Sequence, residues 1–133
     1  MTASPNPIPA YLFGVLSLAL GINAIIRPAA EYPRFGLPFE TAQSDASHSD
    51  ASVSPLMYLK GTRELSYGLL VIVLQYQGQH SAITTLAVVM ASVALADGFV
   101  VWFCGGRERR QKACGHWGTF VGLGAWAWYR GSA

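Results

Sequence analysis

Apolar residues in this 133-residue chain gather into four long blocks, not into the short alternating runs of a sheet. The first block, Ile8 to Ile26, is close to the roughly 20 residues a helix needs to cross a hydrocarbon core. Pro9 fits its first turn and Pro28 stops it. The second block, residues 55–76, is interrupted by Lys60, Arg63 and Glu64. The third, 83–103, holds Asp97 as its only charge. The fourth, 114–129, is short and rich in Gly and Trp, so it spans where the bilayer adapts to it. The pattern predicts an all-α fold, a four-helix transmembrane bundle forming one domain over 1–133. Between the first two blocks, Glu40–Ser54 is polar and of low complexity, which reads as a flexible connector.

Small and aromatic residues refine that picture. Gly14 and Gly21, and likewise Gly61 and Gly68, are seven apart, which puts each pair on one helix face. Gly118 and Gly122 form a GxxxG step. In lipid such residues let backbones approach, because packing drives helix association there; a homo-oligomer is compatible with this pattern. Trp102, Trp117, Trp126, Trp128 and Tyr129 cluster near block ends, as an interfacial belt does.

Composition sharpens the class. Apolar residues make up 52% and charged residues only 12% of the chain, about half the charged share of a soluble domain. The net charge of +2 is too small for a nucleic-acid partner. The lipid bilayer is the partner the composition calls for. No positive n-region precedes the first block, which therefore reads as a retained signal anchor. Arg27, Arg34, Arg107, Arg109, Arg110 and Lys112 lie in two connections, while the remaining connection and tails hold only Arg130. The positive-inside rule then places the loops 27–54 and 104–113 in the cytoplasm, for a protein expected in the endoplasmic reticulum. His48, His80 and His116 lack ligand spacing, so no metal is expected. Cys104 and Cys114 read as small residues at helix ends, with a disulfide as the alternative.

Charges inside a span cost a few kcal/mol each, so each needs a reason. Lys60, Arg63, Glu64 and Tyr67 share one face of the second helix. Glu64 has Lys60 or Arg63 as its partner, and Arg63 has Glu64 or Asp97. The topology brings these residues, with Asp97, Asn23 at the end of the first helix and His116 at the start of the fourth, into one layer. One reading is a set of ion pairs that fixes helix order. The other is chemistry: Asp97 or Glu64 as acid, His116 as base, Arg63 as anion stabiliser. Lys60, Tyr67, Asn23 and Trp117 would then contact a lipophilic substrate.

The segments Phe35-Gly36-Leu37-Pro38, Lys60-Gly61-Thr62-Arg63-Glu64-Leu65, Ala96-Asp97-Gly98 and Gly115-His116-Trp117-Gly118 resemble those of the DUF4267 family. The resemblance implies a small four-span membrane protein of fungal type with no established activity; the stretch Glu40–Ser54 departs from it. Some members look like accessory enzymes of natural-product pathways. By analogy of architecture, this implies a cofactor-independent cyclase, isomerase or oxygenase acting on a polyketide or terpenoid. A non-catalytic scaffold and a small transporter are the competing expectations; against the transporter, the first helix carries no carboxylate.

Overall fold

A computed structural model of the chain describes residues 6–38 and 53–132. Among the described residues the fold is all helical. α1 is Ile8–Ile26, α2 Pro28–Phe35, α3 Pro55–Tyr76, α4 His80–Cys104 and α5 Arg110–Ser132, with a 3-10 turn at Arg107–Arg109 before α5. The low-complexity stretch read as a connector lies, up to residue 52, outside the described residues, as does His48.

α1 and α4 are long and apolar enough to cross a membrane by length and composition. α3 and α5 have similar lengths but more polar sequences. The outer surfaces of the helices are nevertheless greasy: Leu12, Ile26, Leu59, Leu69, Phe103 and Val121 are all more than half exposed. Exposed hydroxyls on these surfaces turn back to their own helices. Thr62 donates to the Leu59 carbonyl, Ser66 to Thr62, Thr85 to Ser81 and Ser92 to Val88.

The helices pack chiefly as two antiparallel pairs, α1 with α3 and α4 with α5. In the first pair the two glycine pairs meet each other. A Cβ on Gly21 would stand 2.8 Å from the Gly61 carbonyl oxygen, and one on Gly14 would stand 3.1 Å from that of Gly68. The backbones touch where a side chain would hold them apart. In the second pair Gly98 receives the Trp117 indole, which a Cβ would strike. The Gly118/Gly122 step, by contrast, meets nothing within 4 Å and brings no helices of this chain together. Ala10, Val71, Met90, Ala91 and Leu123 form an apolar core drawn from all four long helices.

α2 corrects the expectation of a loop after residue 26. Pro28 ends α1 and at the same time opens α2, where a missing N–H and fixed φ suit the first turn. Glu31 lies in the first turn and Arg34 in the last, each favourable to the helix dipole. Gly36 stops the helix in the left-handed region (φ 105°), its N–H donating to the Tyr32 carbonyl. α2 also fixes its neighbours. The Tyr32 hydroxyl accepts from the Ser54 N–H at 2.9 Å, and Ser54 caps α3 by accepting from Leu56.

A candidate active site at the charged end of the bundle

α2 turns Glu31 inward, where it is 1% exposed. A buried carboxylate requires partners, and three are present. Asn23 of α1 donates its amide to Oε1, Arg34 approaches the same oxygen at 3.3 Å, and Lys60 of α3 reaches Oε2 at 3.3 Å. Lys60 also lies over the Phe35 ring, 5.2 Å from its centroid. The lysine therefore pairs with Glu31 across the bundle, not with Glu64 one turn along its own helix.

Arg63 forms the second pair. Its Nη2 and Nη1 meet Oδ2 and Oδ1 of Asp97 at 2.8 and 3.4 Å, a two-pronged link between α3 and α4. Glu64 makes a longer ion pair with the same Nη2 at 3.9 Å, beyond hydrogen-bond distance. Of the two carboxylates open to it from sequence the arginine meets both, Asp97 in hydrogen-bond contact and Glu64 at longer range.

His116 reaches over to α2: its Nε2 lies 2.9 Å from the Phe35 carbonyl oxygen, with the two rings edge to face. A carbonyl only accepts, so Nε2 carries the proton and, in the neutral ring, Nδ1 keeps a lone pair.

These groups surround a chamber of about 280 Å³. Phe13, Leu16 and Leu20 of α1 and Met90 and Val93 of α4 form its apolar walls; Glu31, Lys60, Glu64, Tyr67, Asp97 and His116 line its polar side. A second hollow of about 300 Å³ lies outside, lined by Tyr32, Leu37, Ser54, Met57 and Arg63. Phe35, Lys60 and Asp97 border both spaces, so the two ion pairs stand in the partition between them.

Of the residues singled out from sequence, the structure thus brings Lys60, Arg63, Glu64, Tyr67, Asp97 and His116 to one place. Asn23 joins through Glu31 and does not line either hollow. Trp117 faces away. It packs on Gly98, Phe99 and Trp102, and its buried indole N–H has no acceptor. Glu31 and Phe35 were missed. A signal for Glu31 was present in the proline at 28 and the glycine at 36, which bracket a short helix. Among the described residues no group of His, Cys, Asp or Glu is placed to hold a metal, and both cysteines are free and exposed.

The architecture defines a class: a small helical bundle with a charged chamber near one end. The chain belongs to the DUF4267 family, a domain of unknown function whose profile matches residues 14–130. That stretch contains every ionisable residue of the chamber. Comparison with curated proteins found no match, and comparison with solved structures found none either.

Proposed function

We propose that this chain is a four-span membrane protein whose chamber moves protons on a lipophilic small molecule, without a cofactor. The bilayer setting is supported by the greasy outer surface and by the hydroxyls that satisfy themselves there, as polar groups facing lipid must. Of the charges that lower the hydropathy of α3, Lys60 and Glu64 line the chamber and Arg63 the second hollow, while Leu56, Leu59, Leu69 and Leu70 are exposed. The basic connections support a cytoplasmic chamber end, and the endoplasmic reticulum is the membrane we propose.

The carrying observation is Glu64. Glu31 and Asp97 are hydrogen-bonded to cations, whereas Glu64 lines the chamber with only a 3.9 Å ion pair to Arg63. A carboxyl so loosely held beside apolar walls is a group poised to exchange a proton with a bound molecule. In this reading Glu64, carrying its proton, delivers it to one carbon of an enol or alkene. The Nδ1 lone pair of His116 takes a proton from another carbon, and the double bond shifts between them. Both residues reset by exchange with water. Asp97 and Arg63, which the sequence offered as acid and anion stabiliser, serve here as the partition. A chamber of this size suits a compact oxygenated polyketide or terpenoid. One observation favours a scaffold instead: two of the three carboxylates are saturated by ion pairs that tie helices together.

The test is deuterium uptake. Membranes carrying the chain are incubated in D₂O with a panel of polyketide and terpenoid ketones and enols, followed by mass spectrometry. At least one compound should gain carbon-bound deuterium faster than in control membranes, and E64Q should abolish the gain at unchanged protein level. Uptake by E64Q equal to wild type, or no uptake with any compound, would leave the scaffold.

A further inference from the structure

The other end of α5 carries a charge that the chamber does not use. Arg130 lies about 14 residues beyond His116, roughly 20 Å along the helix, and is only 7% exposed. One nitrogen, Nη2, lies 3.3 Å from Nδ1 of His80 at the start of α4. The guanidinium rests over the Trp126 ring at 5.2 Å. Its Nε and Nη1 are buried with no hydrogen-bond partner, and no carboxylate of the described residues pairs with it. A guanidinium cannot shed its charge, and an unpaired buried charge is strongly unfavourable. The side chain is built to meet an anion.

The surroundings specify which anion. His80, Thr84 and Val88 are successive turns of one α4 face, and α5 runs along it in the opposite direction. A Cβ on Gly131 would touch Thr84 at 3.9 Å. One or two turns from Arg130, the same seam opens into an apolar groove of about 370 Å³, lined by Val88, Gly124, Ala127, Trp128 and Gly131. Two of these are glycines, which contribute no side chain to the groove. Beside it, Trp128 is 82% and Tyr129 67% exposed, the residue types that sit at headgroup level. An apolar groove whose lining residue Gly131 adjoins an unpaired buried cation matches one class of molecule.

We propose that the α4–α5 seam seats a phospholipid, its phosphate on Arg130 and one acyl chain in the groove. The phosphate oxygens accept from Nε and Nη1 once the end of the side chain turns toward the headgroup layer, as long basic side chains do at interfaces. A free phosphate would use the guanidinium but not the groove. The seat rests on the bilayer setting proposed above and not on the chemistry at Glu64.

The experiment uses the full chain purified in a neutral detergent, with bound lipid read by native mass spectrometry and stability by thermal melting. The probes are a phosphatidic acid, the diacylglycerol with the same chains, and inorganic phosphate. Phosphatidic acid should bind one to one and raise the melting temperature; the other two, at equal concentration, should not. R130Q should weaken phosphatidic acid binding at least tenfold. G131L, which fills the groove and keeps the cation, should weaken it as well, while E64Q binds as wild type. Equal retention by R130Q or G131L, diacylglycerol binding as tightly, or inorganic phosphate stabilising as much would each overturn the seat.

Discussion

Replacing Glu31 by alanine removes the acceptor that three donors share, and the size of the loss follows from how buried each donor is. Arg34 has a side chain 57% exposed, returns to water and forfeits no more than about 0.5 kcal/mol. Asn23 is half-buried and loses an acceptor, about 1 kcal/mol. Lys60 is decisive. At 14% exposed, it becomes an unpaired cation inside the bundle, for which breaking a buried pair costs about 3 kcal/mol or more. The expected total is about 4 kcal/mol, or roughly 12–20 °C in melting temperature for a chain of this size. Thermal melting in detergent, followed by circular dichroism, reads it. Adding Lys60→Met to Glu31→Ala removes the stranded charge and should recover at least half the loss, although it deletes a second native side chain. A loss under about 4 °C for the single variant, or a further fall on adding Lys60→Met, would refute the account of Glu31 as the hub.

The glycine pairs of α1 and α3 should not tolerate a methyl group. Gly21→Ala and Gly68→Ala drive a Cβ into backbone and should each cost about 1–3 kcal/mol, whereas Gly118→Ala and Gly122→Ala should gain up to about 1 kcal/mol. The same melting assay separates the two sets, and the reverse order would contradict the packing. A double-mutant cycle on Arg63→Met and Asp97→Leu should give a coupling of about 1–3 kcal/mol; a coupling near zero would remove the pair as a link between α3 and α4. Nitrogen-15 spectra of histidine-labelled protein should show the neutral ring of His116 with its proton on Nε2 and the lone pair on Nδ1. The opposite tautomer would take away the base proposed for the chamber.

Helix positions were legible because apolar blocks and prolines mark them. α1 occupies 8–26 and α3 occupies 55–76, the limits of the first two blocks. Spacing likewise put Lys60, Glu64 and Tyr67 on one face. Partner choice was not legible. Lys60 and Glu64 sit one turn apart, yet the lysine pairs with Glu31, 29 residues away, because α2 folds a carboxylate over the chamber. Pro28 ends one helix and opens the next, so the stop signal and the start signal of α2 fall on the same residue. The GxxxG step at Gly118 carried the same local signal as Gly61 and Gly68 but faces outward. Side-chain periodicity specifies a face; only the assembled bundle specifies what that face meets.

The division of the bundle into two helix pairs has an electrical side. The half formed by α1, α2 and α3 brings three cations to the chamber layer, Arg34, Lys60 and Arg63, against two carboxylates, Glu31 and Glu64. The half formed by α4 and α5 brings one carboxylate, Asp97, and no described cation. Within the chamber layer the first half therefore brings an excess of cations and the second a carboxylate without a cation of its own, and joining them pairs Arg63 with Asp97. Two separately made fragments, cut between Tyr76 and His80, should thus seek each other in a membrane, and Asp97→Asn should weaken that reunion by leaving one half charged with nothing to meet.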